Sequence, residues 1–183
     1  MPKKYFEKIP FIGYAIDTTG ELRIAVDILQ RAKIRDVLLD NSLVFYTYDV
    51  KDGETPETIA SKIYGWTGYH WIVLLTNNIV DPYFDWPMSY QNLIETIRTK
   101  YNTPTLDGVI FSQSNIHHYQ DNFGNTVDET TYLNLPIANR QAVSFYDWEL
   151  QENENKRHIK LLDANFVSQI DAEMNDIMKR ATV

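Results

Sequence analysis

Residues 43–92 read L-V-F-Y-T-Y-D-V-K-D-G-E-T-P-E-T-I-A-S-K-I-Y-G-W-T-G-Y-H-W-I-V-L-L-T-N-N-I-V-D-P-Y-F-D-W-P-M-S-Y-Q-N, and this run decides the fold. Leu43 to Val50 is apolar, aromatic and β-branched, the composition of a strand. Lys51-Asp52-Gly53 follows as a turn. Thr55 is placed to cap a helix whose first position is Pro56, where a missing N–H costs nothing. Ile59, Ala60 and Ile63 then share one helical face, and Gly65 supplies the left-handed residue that ends it. Trp71 to Leu75 suits a buried second helix, closed by Asn77-Asn78, since Asn tolerates the left-handed conformation. The expected order is strand, turn, helix, helix.

Tyr48-x-Val50-x-x-Gly53-Glu54-Thr55, followed by Ile59-Ala60, Tyr64, Asn78 and Asp81-Pro82, resembles a LysM module. That is a small strand–helix–helix–strand fold best known for binding peptidoglycan and chitin. A second resemblance reaches further. Tyr64-Gly65, Tyr69, Trp71 to Leu75, Asn77-Asn78-Ile79, Asp81-Pro82-Tyr83 and Asp85-Trp86-Pro87 are similar to the small baseplate wedge subunit of contractile-tailed bacteriophages, the family of gene product fifty-three. The similarity includes K-I-R-D-V-L-L-D-N before the central run and K-R-x-I-K-L-L-D after it, and covers roughly 33–178. It implies a structural subunit of the virion's tail baseplate, assembled in the host cytoplasm. Such a subunit packs on larger wedge proteins and links neighbouring wedges around the hub. It implies binding, with no catalysis and no cofactor. The alternative is a LysM-type peptidoglycan-binding module, whose groove would fall at Gly53, Glu54 and Thr55 with Asn78, Ile79, Val80 and Asp81. This sequence departs from the LysM pattern at Tyr83 to Met88, where a Gly-x-x-Leu-x-Ile-Pro second strand is usual.

The remaining composition narrows the function classes. The chain has 183 residues, a net charge of −8 and no cysteine. The charge argues against nucleic-acid or membrane-surface binding, and the lack of cysteine removes disulfide and thiol chemistry. The N-terminus lacks the apolar core of a signal peptide, and no stretch is long enough to span a bilayer, so a soluble chain is expected. Twelve Tyr, eight Phe and four Trp make an aromatic chain, suited to a core and to protein interfaces.

Outside the central run, residues 1–20 are apolar without periodicity and read as an extended arm that lies on its own domain or on a neighbour. Leu22 to Ile28 could be strand or helix, and Ala32 to Leu39 reads as a short helix. Ser89 caps a helix to Tyr101. Val109–Phe111, Ile116–Tyr119 and Thr126–Leu133 read as strands around an Asp121–Asn125 turn, hence a β-hairpin. Val143–Trp148 reads as extended, Glu149–Arg157 as a polar helix, and Ile159–Leu162 as a short strand or link. From Asp163, a helix carries Phe166, Val167, Ile170, Met174, Ile177 and Met178 on one side, a stripe for its own core or for a partner's groove.

Catalytic signals are lacking. No serine lies in a nucleophile elbow and no phosphate loop is present. His117-His118 are adjacent, so on a strand they point to opposite faces and do not share a metal in the ordinary way. Glu54 and Glu57 are explained by a helix N-terminus, and Asp81 by a turn. The expected fold is α+β: 1–42 an N-terminal arm and short helix, 43–95 a LysM-like module, 96–183 a β-hairpin and amphipathic helix. The expected partner contacts are Tyr5, Phe6, Phe11 and Tyr14 in the arm, Trp66 in the module, and Phe166 and Ile170 on the last helix.

Overall fold

A computed structural model describes residues 5–15, 22–27, 34 and 43–180. They fall in two compact units: one holds the segments up to Asp49, Glu54–Asp85 and from Ile159 on, the other Val50–Gly53 and Trp86–His158. The first unit is built from separated stretches of chain. The helix expected over Ala32 to Leu39 lies, apart from Ile34, outside the described residues.

In the first unit, Tyr5–Lys8 forms a 3-10 turn. The expected extended arm is instead a hairpin: β1 (Phe11–Ala15) pairs antiparallel with β2 (Leu22–Val26), Phe11 opposite Val26 and Ala15 opposite Leu22. Backbone groups on the facing edges of the two strands are satisfied within the hairpin.

The central run folds as its capping residues dictate. β3 (Phe45–Asp49) leads to α1 (Pro56–Tyr64). Thr55 Oγ1 accepts from the Thr58 amide while Thr58 Oγ1 accepts from the Thr55 amide, a reciprocal capping box with Thr at the third position. Gly65 closes α1 at φ 74°, a conformation that favours glycine. A 3-10 turn (Thr67–Tyr69) runs into α2 (His70–Thr76), whose Trp71, Ile72 and Val73 are buried. Asn78 takes φ 53°, the left-handed stop its side chain permits. A short turn of helix, α3 (Pro82–Asp85), occupies the place where a LysM sequence would begin its second strand.

The second unit contains α4 (Tyr90–Lys100), capped by Ser89, and α5 (Gly108–Ser114), capped by Asp107. The strand expected at Val109–Phe111 is therefore helical: the Asp107 carboxylate takes the Val109 amide at 2.9 Å and starts a helix that β-branched residues would otherwise disfavour. β4 (Ile116–Asp121) and β5 (Thr126–Val127) form the expected hairpin, but β5 is short. Asp128 accepts from the Thr130 and Thr131 amides and turns the chain into α6 (Glu129–Asn134), so Thr126–Leu133 is strand only at its start. β6 (Arg140–Ser144) pairs with the other side of β4, giving the order β5-β4-β6. Ser144 then caps α7 (Phe145–Asn155), so the extended reading of Val143–Trp148 holds only to Ser144.

The chain then completes the first unit with β7 (His158–Leu162) and α8 (Val167–Arg180). β7 pairs with β3. Asp163 donates to the Val44 carbonyl and Val50 to the Arg157 carbonyl, so the pair is antiparallel and Lys160 stands opposite Thr47. At that position both backbones point away from the pair. The Asn77 amide meets Lys160 there: Nδ2 donates to its carbonyl at 2.8 Å and Oδ1 accepts from its amide at 2.7 Å, across 83 positions of sequence. Tyr64 Oη donates to the Leu162 carbonyl. Tyr64 of α1 and Asn77, the residue that ends α2, thus close the outer edge of β7. Phe45, Trp71, Ile72, Leu162, Val167, Met174 and Met178 form the core. Lys8, with its side chain wholly buried, donates to Asp171 at 2.7 Å and Asn175 at 3.1 Å and lies 5.5 Å from the Trp71 ring.

Candidate functional site

The hairpin register sorts its side chains. Directly opposed residues share a face and successive ones alternate. Phe11, Gly13, Ala15, Leu22, Ile24 and Val26 therefore share one face, which carries no polar side chain. Ile24 is 81% exposed, Leu22 71% and Phe11 65%. Tyr14 stands on the other face opposite Arg23 and is also exposed. Of the four expected arm residues, Phe11 and Tyr14 thus stand exposed on the hairpin, while the backbones of Tyr5 and Phe6 lie in the turn before it. The sequence reading missed Leu22, Ile24 and Val26. Their signal was the L-R-I-A-V alternation, which suits one face of a strand but did not exclude a helix.

The groove positions are built as follows. Gly53 takes φ 75° in the turn after β3. The Glu54 carboxylate accepts from Tyr48 Oη at 2.8 Å and pairs with Lys62 at 3.3 Å. Lys62 Nζ also donates to Tyr48 Oη at 3.0 Å, and the hydrogen bonds it gives, to the Tyr48 hydroxyl first and to Glu54 second, hold the Lys62 ammonium above its ordinary pKa. Thr55 is engaged by the capping box. In the second loop, Asn78 donates its amide to the Leu75 carbonyl and Ile79 to that of Leu74. The Val80 and Asp81 amides both donate to Asp85 Oδ2, at 3.3 and 3.1 Å, and Asp81 Oδ1 accepts from the Tyr83 amide. The exposed side chains of Val80, Tyr83 and Phe84 follow one another here.

Trp66 is half-buried, lying over Gly68 and edge-on to Tyr69 at 4.9 Å. Phe166 and Ile170 pack, partly buried, against the first unit's core. His117 and His118 do not point to opposite faces. The register with β6 slips between Ile116 and His118, a bulge that breaks the two-residue period. Both rings consequently meet Trp148, His117 stacked at 4.8 Å and His118 edge-on at 5.3 Å, with their Nδ1 atoms 2.8 Å apart. Burial, then the neighbouring His117, pushes the His118 pKa down. Among the described residues no group of three or more His, Cys, Asp or Glu is arranged to hold a metal. No helix among them is long and apolar enough to cross a membrane. An open concavity of about 440 Å³ in the second unit is lined by Tyr90, Leu93, Asp147, Asn153, Glu154 and Arg157 among others. Its acid and base are already engaged: Arg157 pairs with Glu154 at 3.1 Å and with Asp52 at 3.0 Å.

The most conspicuous surface features are thus apolar, and comparison with known proteins accounts for such a chain. The sequence matches the family described as Base plate wedge protein 53 over residues 1–131. It is 26% identical over 146 residues to the baseplate wedge protein gp53 of Enterobacteria phage T4, covering 73% of this chain and 71% of that protein. The chain belongs to the Base plate wedge protein 53 family, and its place is the tail baseplate of a phage particle.

Proposed function

We propose that this structural subunit binds larger wedge proteins and links neighbouring wedges around the tail hub, with the β1–β2 hairpin as a principal contact. The observation that carries the reading is the hairpin's unbroken apolar face. A lone two-stranded hairpin is marginal in water, and a face without polar side chains gains most by being covered. Each large anchor such as Ile24 contributes on the order of 2 kcal/mol if fully desolvated on the partner. Lys8 and Ile9, both buried, fasten the chain just before β1, so the hairpin is presented from a fixed root.

In this reading β3, α1, α2 and β7 are a LysM-like scaffold, with the second strand delivered from residues 158–162 instead of directly after α2. Peptidoglycan binding is the rival, and the polar groups at its positions favour the scaffold reading. Glu54, Thr55 and the Val80 and Asp81 amides already have partners within the chain. No catalytic step is assigned.

The test is parallel co-sedimentation of the full chain with the purified wedge proteins of the same particle and with insoluble peptidoglycan. The expected result is binding to the wedge proteins, lost in Ile24→Asp, with none to peptidoglycan. Saturable binding to peptidoglycan that Val80→Asp removes, with no affinity for wedge proteins, would put the carbohydrate reading first.

A further inference from the structure

The second unit carries an exposed apolar surface that the hairpin does not explain. β4 ends at Asp121, which pairs with Arg140, the first residue of β6. The Asp121–Asn125 turn and the Ile137–Asn139 turn that leads into β6 therefore lie at one end of the sheet. Phe123 and Ile137, each 82% exposed, stand in these two turns, and Leu133, 63% exposed, belongs to the same end through Arg140. Arg140 Nη1 donates to the Tyr132 and Leu133 carbonyls, both at 3.1 Å, and its guanidinium lies 4.9 Å from the Tyr132 ring. Tyr132 in turn packs on Tyr119 of β4 at 4.3 Å.

The turn that presents Phe123 is held rigidly. Asp121 Oδ1 accepts from the amides of Phe123 and Asn125, and its Oδ2 from the Asn125 side chain, all at 2.9 Å. Gly124 donates to the Asp121 carbonyl and takes φ 82°. A turn whose backbone is held before binding has little of its own freedom left to lose when a partner covers it.

We propose that this end of the β5-β4-β6 sheet is a second docking surface, on which Phe123, with Leu133 and Ile137, enters an apolar concavity of another baseplate protein. The inference rests on the baseplate-subunit reading and gives the link a second hand, separate from the hairpin. Four other occupants fit worse. A sugar needs polar groups beside the ring, and Asp121 and Asn125 are bonded to each other and to the turn. Nucleic acid or an anionic bilayer needs unengaged cations; Arg140 faces two carbonyls and a ring, and the chain's net charge is −8. A second copy fails on area: an aromatic side chain presents roughly 150–250 Å², so Phe123 with the smaller Leu133 and Ile137 offers less than about 750 Å². A stable dimer needs about 800 Å² per partner. A surface of this size works as one of several contacts in an assembly, where linkage raises the effective concentration.

The experiment uses the full chain carrying Phe123→Ala with Ile137→Ala, and separately Phe123→Ala alone, which leaves Asp121 and Gly124 in place. Binding to the purified wedge proteins of the same particle is measured, with thermal melting and sedimentation of the isolated chain alongside. The expected result is binding weakened roughly 10- to 100-fold, unchanged melting and a monomer throughout. Wild-type binding that the variants match overturns this inference and leaves the wedge reading standing. A wild-type chain that binds no wedge protein overturns both. A wild-type dimer that the substitutions dissolve overturns it in favour of a second copy.

Discussion

Asn77→Ala tests the way the first unit is closed. Asn77 replaces a missing third strand on β7, bonding the amide and carbonyl of Lys160 at 2.7 and 2.8 Å and the Val73 carbonyl at 2.8 Å. Each bond contributes about 0.5–1.5 kcal/mol net, and a partner left buried without one costs about 1–3 kcal/mol. Asn77 is half-buried, which admits some water, so about 3 kcal/mol is expected. A domain's whole stability is about 5–15 kcal/mol, so that is a large share. The assay is amide hydrogen exchange at Lys160, whose N–H points away from β3 and is protected by Asn77 Oδ1. Exchange there should quicken about 100-fold, while the paired amides of β4 and β6 keep their rates. Asn77→Asp sharpens the test. A carboxylate still accepts from the Lys160 amide but faces the Val73 and Lys160 carbonyls without a proton, so at neutral pH it should be at least as damaging as alanine. The introduced carboxyl has a raised pKa in the folded state. Its favourable contribution is present below the unfolded value and lost as pH rises through the folded one, so the variant should recover in acid. Exchange at Lys160 that changes less than about threefold in Asn77→Ala would refute this account of the edge.

Three further outcomes are expected. Lys8→Met should destabilise the first unit by about 3 kcal/mol in denaturant unfolding, because Asp171 loses a partner at 2.7 Å; Lys8→Met with Asp171→Leu should recover most of it. Gly108→Ala should cost about 2 kcal/mol or more by the same method, since a Cβ there would run into the Arg98 carbonyl and lie 2.8 Å from the Asn102 nitrogen, both backbone. Asp121 is held below its ordinary pKa of 3.8, first by the Asn125 side chain and then by the Asn125 amide. Its contribution is full above 3.8 and lost as pH falls through the lower folded value, so the Phe123 and Gly124 amide resonances should broaden or shift only below that point.

What could be read from sequence was what neighbouring residues decide among themselves. Thr55, Pro56 and Gly65 bound α1, and Ser89 starts α4, because a cap acts over three or four positions. Misreadings arose where a cap opposed propensity. Val109 to Phe111 are good strand formers, yet Asp107 starts a helix there, packed so closely on the end of α4 that only glycine fits at position 108. Asp128 likewise cuts β5 short. The bulge at His117 has no sequence signature, and without it the opposite-face argument would stand. The strand at 158–162 was visible, but its partner was not. Pairing with β3, more than a hundred positions back in the sequence, is a long-range contact that no local pattern encodes.

The competition between glycan groove and protein interface turns on what each surface gives up on binding. The loop that a LysM resemblance assigns to an N-acetyl sugar would offer backbone amides. Here the Val80 and Asp81 amides are held by the Asp85 carboxylate, a charge-assisted acceptor that a neutral sugar carbonyl does not readily displace. Glu54 is similarly held by Tyr48 and Lys62. A ligand there must first displace partners within the chain. The β1–β2 face asks for no such exchange: Leu22, Ile24 and Phe11 give up only contact with water, and each square ångström covered is worth about 25 cal/mol. Loop amides held by the chain's own carboxylate, beside apolar side chains left exposed on a hairpin, are the grounds on which the proposed protein contact is preferred to a glycan strand.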